Sequence, residues 1–484
     1  MVKKYIGVSV ALALAAALTV SCSGGGAGSG GGPEGSTPKP EAKSGEPVEI
    51  TVVSTSGDSV ESWDQRFGNM LKQKFPNYSI KYVPSTKQYG IKEMMVAGEP
   101  MDMYFDSISF LTGGLLGNSL QYDMTDLIKR SNLDFGDFEP SVVDAMKRLA
   151  GGKMYGVPVF NNNVVLYYNK DIFDKSGAPY PKDGMTWDEF TELMKKIIHT
   201  DGTNKQYVGY ATSGTHVFRM NQLSLPYVDA KTEKATINSE SWKKFIETVF
   251  VAPRLAGGYK DFVAARQAGP YTNEFFKTQE VATFALLSSS MLVEKSFETM
   301  NWDLVALPTF KDQPGVGSQG YPTYFSVTTN SRHKEEVMEI IKYLLSEEAQ
   351  LRLSKMGVMT VLKNEEIRKA FGQESRYKDK NLKAVFYNQF APIPYKSIYD
   401  PSLESPIRKR WGPPWTPAIS TPRCAPPRRT RTNAFRMRKP NSIRATGNRP
   451  GAAGFLVLLF PQVAIPSSQS RNRYRTMLMT AFTI

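Results

Sequence analysis

Few side chains in this 484-residue chain could do covalent or metal chemistry. His199, His216 and His333 are its only histidines, and Cys22 and Cys424 its only cysteines. The histidines are scattered, none at the i, i+4 spacing with which a helix offers two ligands to one ion. Two cysteines cannot build a zinc or iron–sulfur cluster, and no nucleophile elbow is present. What remains are groups that hydrogen-bond or stack. Asp106 closes the apolar stretch Met101 to Phe105, and Ser54, Ser56 and Asp58 close the one at Val48 to Val53. Asn161, Asn162 and Asn163 set three amides in a row, each able to donate and to accept. Tyr321 and Tyr324 lie in a loop rich in Gly and Pro. Such residues hold a polar ligand without transforming it. Each also has a plainer role: Asp106 capping a turn, the Asn run forming an Asx-rich turn, the tyrosines packing in a core. Trp63 and Trp302 sit at core spacing.

The elements that would carry these groups are legible. Val48-Glu49-Ile50-Thr51-Val52-Val53 alternates and is β-branched, which predicts a first strand. Apolar residues at helical spacing from Val60 to Phe75 predict a helix ended by Pro76. Tyr78 to Val83 predicts a second strand, Ile91 to Val96 a short helix and Met101 to Phe105 a third strand. Strand alternating with helix is the rhythm of an open α/β layer with parallel strands, and the carboxyl ends of such strands are where ligand loops gather. Leu166 to Tyr168 reads as a strand followed by a turn at Asn169-Lys170-Asp171. Thr186 with Glu189 forms a capping box, and Trp187, Phe190, Leu193 and Ile197 then make one apolar face.

An ordered series of motifs carries a resemblance. Gly152-Lys153-Met154-Tyr155-Gly156-Val157-Pro158 is followed by Leu166 to Phe173, then Pro179, Pro181 and Thr186-Trp187-Asp188-Glu189-Phe190. Phe276 to Phe284, Ala306-Leu307-Pro308, Gly317 to Val327 and His333 to Gln350 continue it. From about Val48 to Pro401 the chain resembles the extracellular solute-binding proteins of ABC importers, the carbohydrate-binding lipoproteins of Gram-positive bacteria among them. The resemblance implies a two-lobed, type II periplasmic-binding-protein-like α/β fold that closes around a solute by a hinge motion. It implies no catalysis, no cofactor, a monomer, and an ABC permease as partner. Residues 47–158 with 282–326 would form one lobe and 159–281 with 327–401 the other. Crossings are expected near Val157 to Phe160, Ala282 to Leu286 and Phe325 to Thr328. Asp106, Asn161, Asn162, Asn163, Tyr321, Tyr324, Ser56 and Asp58 are the expected solute contacts, and buried polar groups beside aromatic faces suit a carbohydrate. Family members that bind sugars often carry an aromatic residue after the late strand. Ser288-Ser289-Ser290-Met291-Leu292 has none, which leaves room for a smaller or more polar solute. The rival readings are a secreted polysaccharide-active enzyme, which would need paired carboxylates, and a receptor that presents its solute to a membrane sensor kinase.

Both ends differ from the body. Lys3 and Lys4, an apolar run from Tyr5 to Val20, and then Ser21-Cys22 make a secretory signal, shorter than the ~20 apolar residues of a spanning helix. Leu18-Thr19-Val20-Ser21-Cys22 resembles a lipobox, so lipid on Cys22 would hold the protein on the outer face of the cell membrane. Residues 23–46, rich in Gly, Ser, Pro, Lys and Glu, read as a disordered tether. The net charge of +14 is confined to the other end. Fifteen of the 60 Lys and Arg residues follow Glu404, and none of the 46 Asp and Glu does. The body is therefore close to neutral, and its charge gives no reason to expect a nucleic-acid ligand. Residues 402–484 form a basic, Arg- and Pro-rich tail whose composition fits a coding-frame change near residue 402.

Overall fold

β-branched residues at alternating positions make β1 (Val48–Ser54), and its inward members Ile50 and Val52 are almost wholly buried. This computed structural model describes residues 47–404, apart from 57, 87, 267 and 401. Cys22, the tether and the tail beyond Glu404 lie outside the described residues. β1 pairs in parallel with β2 (Tyr78–Pro84) and β3 (Met103–Ser107). Two short strands follow at once, β4 (Val157–Asn161) and β5 (Val164–Asn169). The rest are β6 (Val208–Thr212), β7 (Val281–Leu287), β8 (Trp302–Ala306), β9 (Val316–Gln319), β10 (Thr323–Val327), β11 (Met359–Thr360) and β12 (Gln389–Ala391).

These strands build two main sheets. One has the order β11-β4-β10-β3-β1-β2, the other β6-β7-β5-β8, and β12 pairs with β9 apart from both. Sheet membership redraws the expected partition. β7 and β8, placed with the first lobe by the sequence, hydrogen-bond to β5 and β6 in the four-stranded sheet. A buried apolar strand such as β7 must find partners along both edges, and β5 and β6 supply them. Conversely, β11 and the helix Lys334–Leu344, placed with the other lobe by the sequence, belong with the six-stranded sheet beside β10. The chain therefore crosses at residues 162–163 and again between β8 and β10. After β11 it returns, because Tyr377, Leu382 and Val385 pack in the core behind the four-stranded sheet. None of the three crossings lies inside a strand, where the sequence had put them.

The six-stranded sheet is backed by rings. Trp63 stacks on Tyr82 at 5.1 Å, and Phe105 on Phe325 at the same separation. Phe67 reaches Phe160 at 5.6 Å. The expected helix from Val60 is present but not uniform. It runs as Val60–Trp63, a wide π-turn at Asp64–Gly68, then Asn69–Lys74. The π-turn leaves Trp63, Phe67, Met70 and Leu71 all buried. The strand at Leu166 extends to Asn169, and the predicted turn is the start of the helix Lys170–Ser176, which Asn169 caps through its side chain. The capping box forms as expected, with Thr186 N–H on Glu189 Oε2 at 2.7 Å and Glu189 N–H on Thr186 Oγ1 at 3.2 Å.

Candidate functional site

The carboxyl ends of β1, β3 and β4 share one edge of the six-stranded sheet, because β1 runs parallel to β3 while β10 is antiparallel to both β3 and β4. A cavity of about 340 Å³ opens beside that edge, walled by Thr55, Ser85, Ser109, Phe110, Asn118 and Arg219 among others. A larger hollow of about 630 Å³ lies along Pro179 to Lys196; the expected contacts line neither, but the smaller cavity is walled by Thr55 and Arg219, which hydrogen-bond to Asp106 and Tyr321. Ser107 Oγ and Asn161 Nδ2, both buried at the sheet edge, have no partner among the described residues. Unpaired buried polar groups cost about 1–3 kcal/mol each, so the edge where they gather is poised to receive hydrogen bonds.

Asp106 is completely buried within β3, near its end, and is not among the residues that wall the cavity. Its Oδ2 accepts from Thr55 N–H at 3.1 Å, from the Thr55 hydroxyl and from Tyr104 OH at 2.9 Å, while Oδ1 accepts from Ser107 N–H at 3.0 Å. Burial pushes this carboxyl up to about 6, although all four hydrogen bonds pull the other way. With its acceptors taken, Asp106 shapes the wall by fixing Thr55. Gly114 belongs to the same arrangement, since a Cβ there would collide with Tyr104 OH. Ser56 and Asp58 form a local chain at the surface. Ser56 donates to Asp58 Oδ2 at 2.9 Å, and Arg66 pairs with the same oxygen at 2.8 Å.

The three asparagines are buried, Asn161 at the end of β4 and Asn162 and Asn163 in the first crossing. Asn162 Oδ1 accepts from Asn163 N–H (3.0 Å), Ser288 Oγ (2.7 Å) and Ser289 N–H (3.2 Å), and its Nδ2 donates to Ser289 Oγ at 2.6 Å. Its carbonyl accepts from Tyr321 N–H at 2.8 Å. Asn163 Nδ2 donates to the Val385 carbonyl at 2.8 Å. The run is a buried junction, not a surface Asx turn. It ties the crossing to the end of β7 and to the second crossing. Tyr324, expected in the cleft, belongs to the core: it is fully buried, and its hydroxyl donates to the Val142 carbonyl on the helix Pro140–Leu149. Its place in the middle of β10 explains this, since the strand is covered on both faces.

Tyr321 leads to residues that the sequence did not single out. Its hydroxyl accepts from Arg219 Nη1 at 3.1 Å. Arg219 ends the helix Gly214–Arg219 and forms a bidentate pair with Glu404 through Nε and Nη2. Burial opposes the charge on Arg219, but Glu404 and Tyr321 outweigh it and hold the guanidinium protonated. Lys396 donates to the Arg219 carbonyl at 2.8 Å and to Gln319 Oε1 at 3.2 Å. Burial lowers Lys396 to about 8, against the pull of Asp400. Burial likewise raises Asp400 to about 6, opposed by Lys396. The fold thus extends three residues past the expected end at 401. Lys396, Asp400 and Glu404 recur at every fourth position, a helical spacing that could have been noticed; Arg219 and Phe110 had no such signal.

His216 receives or gives a hydrogen bond with Ser213 Oγ at 2.7 Å and stands edge-on to Tyr321. Burial, and then the Arg219 charge, push its imidazole down to about 4. An unfolded chain therefore binds a proton between pH 6.5 and 4 that the folded one refuses, so this site costs stability as the pH falls through that window. Asp106 and Asp400, with raised values, act in the opposite sense below pH 6, so only a difference isolates His216. His216→Gln should gain about 1–2 kcal/mol on the wild type between pH 7 and pH 4, discounted for the partly exposed ring. A melting-point gap that stays constant over that range would refute it.

Among the described residues no group of three His, Cys, Asp or Glu side chains could hold a metal ion, and no helix is long and apolar enough to cross a membrane. Residues 56–351 match the family described as bacterial extracellular solute-binding protein. An arabinooligosaccharide-binding protein of Bacillus subtilis is 25% identical over 222 residues, which are 44% of this chain and 48% of that protein. The chain thus spans about half the length of the curated relatives it matches. An ABC substrate-binding protein of Listeria monocytogenes, solved with cycloalternan, superposes with a TM-score of 0.58 at 18% identity, over 76% of this chain and 93% of that one. A solute-binding protein of Thermotoga lettingae, solved with α-D-tagatose, gives 0.56 at 17% identity, over 76% and 93%. The two-lobed α/β fold is common to them.

Proposed function

The chain belongs to the bacterial extracellular solute-binding proteins, and we propose that it captures a carbohydrate in the cleft beside β1 and β3 and passes it to an ABC permease. Lipid on Cys22 would hold it at the outer face of the membrane, with residues 23–46 as the tether. The observation that carries the carbohydrate reading is the chemistry of the cavity wall. Thr55, Ser85, Ser109 and Asn118 offer hydroxyls and an amide, and Phe110 offers a ring left 37% exposed. Sugars need such directed hydrogen bonds and an apolar face. Arg219 is balanced by Glu404, and the other charges at the wall are one of each sign, Lys92 and Glu93. Glu93 is the only carboxylate among the cavity-lining residues described, and it caps the Gly90 amide. A glycosidase would set two facing carboxyls there, so the wall favours a receptor over an enzyme.

Melting the full chain against arabino-oligosaccharides, cycloalternan, D-tagatose and the common amino acids tests this. A sugar at a hundred times its Kd stabilises the fold by about 2.7 kcal/mol, so its midpoint should rise by several degrees and the sugar should be recovered unchanged. A rise with amino acids alone would overturn the carbohydrate assignment.

A further inference from the structure

Arg219 is held from behind and open in front. Glu404 takes Nε–H and one Nη2–H, the latter at 2.6 Å, and Tyr321 OH takes one Nη1–H at 3.1 Å. A guanidinium has five N–H groups, so one on each terminal nitrogen is left over. The residue is only 7% exposed, yet it lines the cavity, and its guanidinium carbon lies 4.6 Å from the centroid of the Phe110 ring. Phe110 stands on the helix Ile108–Gly114 beside the six-stranded sheet, whereas Arg219 follows β6 of the other sheet. The two side chains therefore meet across the cleft, and they are the only ring and the only guanidinium among the described residues that wall the cavity.

We propose that Arg219 is a specificity-determining residue of this cleft, directing its two remaining N–H donors at adjacent oxygens of an uncharged solute, and that Glu404 positions it. This rests on the carbohydrate reading and narrows it. A fork of two N–H groups matches a pair of neighbouring acceptors, which vicinal hydroxyls or a hydroxyl beside a ring oxygen provide. A carboxylate or phosphate would match the fork as well, but Glu404 already cancels the charge that would attract it. The solute class is thus a neutral sugar with a free vicinal pair, not a uronate or a sugar phosphate. Phe110 adds an apolar surface next to the fork, so the two recognise the C–H and O–H sides of the same ring.

The test is calorimetric titration of the full chain and its Arg219→Lys and Glu404→Gln variants with arabinotriose, cycloalternan, D-tagatose and digalacturonate. Lysine keeps the charge and loses the fork, so Arg219→Lys should weaken the best neutral sugar about 10- to 100-fold. Glu404→Gln keeps an acceptor near Arg219 and removes the compensating charge. It should move the preference toward digalacturonate at least about tenfold, which a purely structural role for Glu404 would not do. Should Arg219→Lys fail to fold, the preference shift of Glu404→Gln decides the matter. Folded variants that bind with wild-type affinity and preference would overturn the assignment of Arg219 while leaving the carbohydrate reading intact. A wild type that takes none of the sugars would overturn that reading, and this assignment with it.

Discussion

A full-length chain carrying Glu404→Ala should lose about 3–5 kcal/mol of stability, the usual cost of stranding one member of a buried ion pair. Both side chains of the Arg219–Glu404 pair are 8% exposed, so water cannot take over the hydrogen bonds that Glu404 gives up. Lys396 makes matters worse, because it already presses a second cation into the same space at the cost of its own basicity. For a folded body of this size, at about 2.1 cal/mol/K of unfolding entropy per residue, the loss corresponds to a fall in melting midpoint of roughly 4–7 °C. A fragment ending at 401 should fall about as far. The decisive comparison is the double variant Arg219→Met, Glu404→Ala. Replacing both partners by apolar groups is close to neutral, so the double variant should recover most of the midpoint lost by the single one. Differential scanning calorimetry measures all three. If Glu404→Ala melts with the wild type, or if the double variant melts below the single one, the pair does not hold residues 392–404 against the body.

That pair also shows where sequence reasoning stops. Alternation in Val48 to Val53 and the Thr186–Glu189 capping box were readable because their causes are local: a period of two, and two side chains three residues apart. The aromatic backing of the six-stranded sheet was half legible. Trp63 and Phe67 announced a buried helical face, but nothing local could show that Phe105, Phe160 and Phe325 would meet them. Sheet membership was misread for the same reason, since β7 finds its neighbours 73 and 119 residues away, in the Tyr210–Thr283 and Leu166–Ala285 registers that only the folded chain reveals. The site followed the same rule. Asp106, Tyr321 and the three asparagines were singled out as solute contacts, and the structure buries all five. It spends the asparagines on a junction, however, while Asp106 and Tyr321 reach the cavity wall only through Thr55 and Arg219. Phe110 and Arg219 carry no local mark, because their meaning comes from facing each other across the cleft.

Asn162 should be the costliest of the three asparagines to replace. Asn162→Ala removes the acceptor of Asn163 N–H, Ser288 Oγ and Ser289 N–H together, and the donor to Ser289 Oγ. Each buried donor left without a partner costs about 1–3 kcal/mol, and the position beside Ser289 is only partly buried, so the sum should come to about 3–5 kcal/mol. Asn161→Ala, whose Nδ2 has no partner and whose Oδ1 accepts only the Asn162 N–H at 2.9 Å, should cost distinctly less. Urea unfolding of the two variants beside the wild type measures the difference; equal losses would show that the Asn162 bonds do not stabilise the junction. The same bonds join the first crossing to the end of β7 and, through the Asn162 carbonyl and Tyr321 N–H, to the second crossing. Tyr321 in turn holds Arg219 at the cavity wall. Loosening this junction should therefore reach the solute as well as the fold: a folded Asn162 variant should release its sugar faster, with association changed little, because the contacts that retain the solute lose their common support. Stopped-flow displacement of a bound sugar reads that rate, and an unchanged rate in Asn162→Ala would separate the junction from solute retention.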